Sequence, residues 1–470
     1  MNPAAPGASG PVLLVRPHIA RKYSLNVTPP LGLGYIASAL RRGGEEVALL
    51  DLLKEHTGLP RLEEEVRRLR PRLVGFQHYS LNTPEVMESA AAVKRIDPAI
   101  AVVLGGPHPS ALPAETLALI PGADFVIAGE VEKSFPLLCG AVRGNASGFR
   151  DITGLAWREG GAVVKNPPRF ADDLDSLDFP AWDLMATARY PEAVQGVFFR
   201  NWPAAPIAAT RGCPHVCTFC AGFTVTGRRV RARSAGNFLE EVELLHGSYG
   251  VRELKIVDDN FTFHRDFVEE VCRRLIERGP HLTWNCPNGM RMDKLDEGLL
   301  ALMKRAGCYE VTLGIESGSD RVLEHMRKRL KTSDIRRYVS MIQRAGLPVS
   351  GLFIIGYPAE TREDIEKTMR FSRELGLVRA EFNNFIPLPG TEAYWWLLKE
   401  GREIDLKQLY FSNVPVPPRG MTADDVKRLQ RKAFLGFYLR PRTLLRQVRD
   451  IRSMRQVRVI ARRALSYIGG

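Results

Sequence analysis

The chain has 470 residues, 45% of them apolar and 25% charged, a mixture that excludes a largely disordered chain and a length that exceeds one ordinary core. No apolar run approaches the roughly 20 residues a bilayer span needs, and the opening MNPAAPGASG lacks the basic start of a signal peptide, so a cytoplasmic protein is expected. The net charge of +13 sits almost wholly in residues 426–470, where 13 Lys or Arg face one acid, Asp450; a near-neutral body argues against a nucleic-acid partner.

After a leader over 1–10, expected to be disordered, short apolar strands alternate with helix-like segments. Strands are expected at Val12–Val15, Glu46–Leu50, Leu73–Gln77, Ala101–Leu104 and Phe125–Ala128, with helices over Leu31–Arg42, Leu62–Arg68 and Pro84–Ile96 between them. Such alternation predicts a doubly wound parallel sheet over 11–145, with a ligand crevice beyond the carboxyl ends of its strands. The loops there are glycine-rich: Pro29–Gly34, Gly105-Gly106-Pro107-His108 and Gly129-Glu130. Residues 146–200 read as a connector, with a small hairpin turning at Glu159-Gly160-Gly161. A second series over 201–400 has strands expected at Ile207–Thr210, Leu254–Val257, Thr283–Cys286, Val311–Ile315, Val349–Ile355 and Ala380–Ile386, each followed by a helix. Six such units predict a partial or complete barrel with its chemistry at the carboxyl ends of the strands. Residues 401–470 form a basic helical region, starting at Thr422-Ala423-Asp424-Asp425 and carrying the aromatic cluster Phe434–Tyr438.

Seven cysteines make an odd number, so a disulfide framework is not expected. Cys139, Cys272, Cys286 and Cys308 are scattered in apolar segments and read as core residues. Cys213, Cys217 and Cys220 are spaced C-x3-C-x2-C directly after the first barrel strand. Three thiolates are one fewer than the four that fill a cubane [4Fe–4S] cluster, which leaves one iron open to a cofactor or substrate. A zinc site using His215 is the alternative, but zinc sites pair such a motif with a second, distant pair, and His215 lies between two of the cysteines.

This loop resembles that of the radical S-adenosylmethionine (SAM) enzymes over about residues 206–400. Further matching segments follow in order: Asp258-Asp259-Asn260, Gly314-Ile315-Glu316-Ser317-Gly318, GLFIIGYPAE over 351–360 and FIPLPGT over 385–391. The resemblance implies that SAM binds the open iron and yields a 5′-deoxyadenosyl radical. It implies SAM contacts from Phe219, Asp259, Asn260, Arg291, Glu316, Ser317, Gly356 and Ile386. Asp258-Asp259-Asn260 replaces the Gly-Gly-Glu of many members, and Glu316 is open to either the amine or the ribose.

Residues 11–145 resemble the cobalamin-binding, Rossmann-like domain fused to a large radical SAM subgroup. The likeness implies cobalamin contacts from Leu31, Gly32, Leu33, Gly34, His78, Gly105, Gly106, His108, Gly129 and Glu130. The D-x-H-x-x-G motif that supplies a lower cobalt ligand is missing. His78 and His108 are therefore read as loop residues, not as cobalt ligands.

The activity implied is methyl transfer to an unactivated carbon, with cyclisation or rearrangement as the alternative reaction and a non-catalytic cobalamin-binding protein at a membrane surface as the alternative of another class. A methylthiotransferase would need three N-terminal cysteines for a second cluster, and residues 1–210 contain only Cys139. The expected partners are a small-molecule or lipid-like substrate and a reductase or flavodoxin-type electron donor. The basic tail adds peripheral membrane contact as a further expectation.

Overall fold

The computed structural model describes residues 10–19, 27–144, 148–191, 193–194, 197–277, 279–450 and 457. The N-terminal sheet has seven strands, β1 (Val12–Arg16), β2 (Val47–Asp51), β3 (Leu73–Gln77), β4 (Ala101–Gly105), β5 (Phe125–Ile127), β6 (Leu155–Glu159) and β7 (Ala162–Lys165), in the order β2-β1-β3-β4-β5-β6-β7. β1 to β5 pair in parallel, with Val12 opposite both Val47 and Leu73. Alternate side chains serve opposite faces: Leu14 and Val103 join one buried layer, Leu13 and Leu104 the other. The β6–β7 hairpin turns at Gly160-Gly161 and pairs antiparallel with β5, Phe125 opposite Trp157. The first half of the expected connector thus extends the sheet.

The second unit has strands β8 (Ala204–Ile207), β9 (Glu253–Ile256), β10 (Thr283–Asn285), β11 (Val311–Glu316), β12 (Val349–Ile355) and β13 (Arg379–Asn384). They form two parallel three-stranded sheets, β8-β9-β10 and β11-β12-β13. Single bridges, Trp284 to Cys308 and Met290 to Leu313, join the two into one curved wall of six strands. The first strand begins three residues before the expected Ile207. Thr210-Arg211 leaves it to pair antiparallel with Arg231-Ala232, framing the cysteine loop.

The helix Ala423–Tyr438 starts as expected, with Thr422 and Asp425 exchanging hydrogen bonds as a capping box. Its aromatic cluster, however, does not face outward. Phe437 is fully buried among Phe382 and its neighbours, and the Tyr438 hydroxyl donates to the Ala380 carbonyl at 3.1 Å. The helix covers β13, so the aromatic face offered to a membrane in the sequence reading belongs to the barrel core. Among the described residues, no helix is long and apolar enough to cross a membrane.

Candidate active site

The cysteine loop runs from Gly212 to Gly222. Gly212 has φ +96°, and a Cβ there would lie 2.2 Å from the Arg229 carbonyl oxygen, so only glycine allows this turn out of the strand. Cys213 N donates to Gly227 O (3.2 Å), Thr218 N to Met326 O (3.1 Å) and Cys220 N to Cys217 O (3.2 Å). The three thiols are free, Cys213 and Cys217 half-buried and Cys220 exposed. Burial pushes the half-buried Cys213 thiol up, and the charge of the neighbouring Cys217 adds to that rise. Ionising one therefore disfavours the next. An iron cluster removes that mutual penalty because its positive charge stabilises all three thiolates together, so this donor set suits one.

Asp258 and Asp259 anchor the loop to the barrel. Asp258 accepts from Ala209 N (2.8 Å), Thr210 N (2.7 Å) and Thr210 Oγ1 (2.7 Å), and burial lifts its carboxyl to about 7 against those bonds. Asp259 Oδ2 accepts from Thr226 Oγ1 at 2.5 Å and from Gly212 N at 3.4 Å. Asp258 thus holds the strand end ahead of the cysteine loop, and Asp259 ties Gly212 at its start to Thr226 just past its end. Asn260 differs: it is 1% exposed, and neither its amide oxygen nor its nitrogen has a hydrogen-bond partner. A buried amide left open in this way fits a ligand group.

Glu316 ends β11 at φ +65°, and its Oε1 lies 2.8 Å from Lys328 Nζ. Burial alone would lower Lys328, but Glu316 and the neighbouring Cys217 hold it above its ordinary value. Arg291 chelates Asp293 at 2.9 Å through two nitrogens and donates to Lys328 O at 3.1 Å. Its charge also reaches Cys213. Ser317 is fully buried and bonded to Thr368 and to Ser319 N, which makes it part of the strand-to-helix joint. Gly356, at φ +80°, donates its N–H to Glu360 Oε2 (2.7 Å), and burial pushes that carboxyl up to about 8. Phe219 and Ile354 pack on one apolar cluster with Tyr357 and Phe385, and Ile386 is buried next in the chain.

A cavity of about 270 Å³ lies between the carboxyl ends of the N-terminal strands and the barrel. Leu31, Gly32, Leu33, Gly105, Gly106, Gly129 and Glu130 line it from one side; Arg211, Thr226 and Asp259 line it from the other. The glycines leave a floor without side chains, which suits a broad flat ligand. Gly34 is not in the lining. It packs against Met185 instead, with its carbonyl accepting from Ala181 N. His78 and His108 also lie outside the lining, as a buried stack with ring centroids 4.4 Å apart. His78 Nε2 meets Thr83 Oγ1 (3.0 Å) and His108 Nδ1 meets Ser80 Oγ (2.9 Å). Burial holds both rings neutral, His108 down at about 4.

Sequence reasoning missed the clamp between the two units. Glu130 is held by both terminal nitrogens of Arg231 (2.8 and 2.7 Å), and Glu132 by Arg211 (2.8 Å), whose guanidinium lies over the Tyr35 ring at 4.9 Å. Glu130 thus lines the cavity while its carboxylate joins the domains. Arginines flanking the cysteine loop opposite acids after a strand-end glycine were the available signal.

The radical SAM superfamily matches residues 207–372, and the B12 binding domain matches residues 17–138. The chain is 31% identical over 423 residues to an uncharacterized methyltransferase of Pyrococcus horikoshii, covering 89% of this chain and 90% of that one. It is 30% identical to the cytidylyl-2-hydroxyethylphosphonate methyltransferase of Streptomyces wedmorensis, covering 80% and 78%. Its fold matches the radical SAM methyltransferase TsrM of Kitasatospora setae, solved with tryptophan substrate and a SAM analogue, with a TM-score of 0.67, 18% identity and coverage of 90% and 83%. The chain belongs to the radical SAM enzyme family, in the branch that carries a B12-binding domain.

Proposed function

We propose that the chain is a cobalamin-dependent radical SAM methyltransferase that methylates an unactivated carbon of a small molecule. The observation that carries this reading is a shared wall: Asp259 and Thr226 both border the cysteine loop and line the glycine-floored cavity. Together the bound groups would supply a one-electron cleavage of SAM and a transferable methyl group. Cys213, Cys217 and Cys220 hold the cluster. Glu316 and Lys328 present one negative and one positive charge at the strand ends, matching the ammonium and carboxylate of an amino acid. Asn260 offers both a donor and an acceptor to a ribose or methionyl group, and Phe219, Ile354 and Ile386 exclude water beside the adenine. Leu31, Gly32, Leu33 and the strand-end glycines seat the corrinoid, and a reductase or flavodoxin-type donor supplies the electron.

The test is anaerobic reconstitution of the full chain from cobalamin-fed cells. About four irons per chain and a corrinoid spectrum are expected. Incubation with SAM and reductant should release 5′-deoxyadenosine, and a labelled SAM methyl should appear in a carbon-methylated product. Replacing all three loop cysteines with Ala should remove the iron. Retained iron in that variant overturns the site, whereas 5′-deoxyadenosine with a cyclised, unmethylated product points to the cyclase reading.

A further inference from the structure

The helices Arg362–Glu374 and Ala423–Tyr438 leave a groove of about 720 Å³ on the side of the barrel wall. Arg370, Arg373, Arg428, Arg431, Lys432 and Arg440 line it, with Glu366 as its acid. Arg428 is paired with Asp425 at 2.6 Å, and Arg440 lies over the Phe437 ring and donates to Arg373 O. Arg370, Arg373 and Lys432 are exposed and have no ion pair among the described residues. Leu439, in the groove lining, is 63% exposed, and on the following helix Pro441–Asp450 Leu444 is 46% and Leu445 65% exposed. Residues 451–470 add five arginines and no acid.

We propose that this groove and its leucine rim form a peripheral binding surface for an anionic phospholipid bilayer. Cations that hold phosphate headgroups beside leucines that enter the acyl boundary are the two components of interfacial binding. A single-stranded nucleic acid would need exposed rings for its bases, and Phe434, Phe437 and Tyr438 are packed inward. A protein partner is less well matched at the rim, because leucine is under-represented among the anchors of protein interfaces and no aromatic side chain stands open in the groove lining. The surface differs from the one the sequence suggested: the aromatics are withdrawn, and exposed leucines take their place.

The experiment is co-sedimentation of the full-length protein with vesicles of phosphatidylcholine alone or mixed with phosphatidylglycerol, with no cluster or SAM required, so its outcome is independent of the catalytic reading. Binding to the mixed vesicles at low salt, weakened by added salt and absent with phosphatidylcholine alone, is expected. The triple variant Arg370→Gln, Arg373→Gln, Lys432→Gln should lower partitioning by roughly a hundredfold, at about one factor of five per basic residue. Leu444→Ser with Leu445→Ser should lower it independently, and a melting curve checks that both variants fold. No binding to the mixed vesicles, or binding that ignores both variants, overturns the proposal. Full competition by soluble inorganic phosphate or polyglutamate, with the leucine variant unaffected, would make the groove an anion or acidic-protein site and would equally overturn it.

Discussion

Glu316 and Lys328 form an ion pair of 2.8 Å with each side chain about 10% exposed, and three left-handed non-glycine residues surround it: Glu316 itself, Arg327 at φ 53° and Arg329 at φ 57°. Strained backbone at such positions persists where surrounding structure fixes it, and it concentrates at binding sites. Lys328→Met should leave Glu316 buried and unpaired, at a cost of about 3–5 kcal/mol in denaturant unfolding. Adding Glu316→Gln should recover most of that stability. SAM affinity by equilibrium dialysis should remain low in the double variant; wild-type affinity there would remove the pair from the SAM site.

Glu360 is expected to make stability depend on pH. Its folded carboxyl sits near 8, above the ordinary unfolded value, so the folded state holds the proton more tightly. The contribution is then fully present below about pH 4 and is lost as pH rises toward 8, at up to about 1.4 kcal/mol per pH unit. Asp258, lifted to about 7, adds a second slope of the same sign. Glu360→Gln keeps an oxygen for Gly356 N and Tyr357 N but removes the titration. Its melting temperature should change little at pH 5 and exceed that of the wild type at pH 8.

The clamp between the units is testable at Arg231. Its side chain and that of Glu130 are each 4% exposed, and Arg231→Met would leave that carboxylate only Arg211 at 3.6 Å and the Ala171 N–H at 2.8 Å, at a cost of about 1–3 kcal/mol. Because Glu130 also lines the cavity, corrinoid retention on gel filtration should fall in the same variant. A melting curve unchanged from wild type would show that the pair is solvated in solution.

The cobalt should have no histidine beneath it. His78 and His108 are bonded to Thr83 and Ser80 and stacked on one another outside the cavity lining. Paramagnetic resonance of the Co(II) protein is expected to lack strong nitrogen coupling. A nitrogen-coupled signal that disappears in His108→Ala would refute this.

Truncation should have a sharp boundary. Val426, Leu429, Ala433 and Phe437 are buried under the barrel, and a Cβ on Gly356 would lie only 2.6 Å from Val426 Cγ1. Ending the chain before residue 426 should therefore aggregate the protein, and Phe437→Ala should cost about 3–5 kcal/mol.

The strands of both units were legible because buried parallel strands are continuous apolar runs, and Val349–Ile355 coincides with its expected bounds. The cysteine loop was legible because iron chemistry fixes a short spacing. What escaped depends on distant pairing. Phe434–Tyr438 reads as an amphipathic surface until β13, nearly sixty residues earlier, is laid against it. Asp258-Asp259-Asn260 reads only as a departure from Gly-Gly-Glu until Ala209 and Thr210 are brought beside Asp258. His78 and His108 have the polarity of ligand residues, and only their mutual stacking and hydroxyl partners turn them inward.

The single carboxylate of Asp259 tethers the cysteine loop and also walls the glycine-floored cavity, the two compartments proposed for the cluster and the corrinoid. Linkage through that side chain is reciprocal: whatever free energy a seated corrinoid gains from an ordered loop, the loop gains from a seated corrinoid. Occupancy of the two compartments would then rise and fall together, and a preparation short of one cofactor would under-report its capacity for the other.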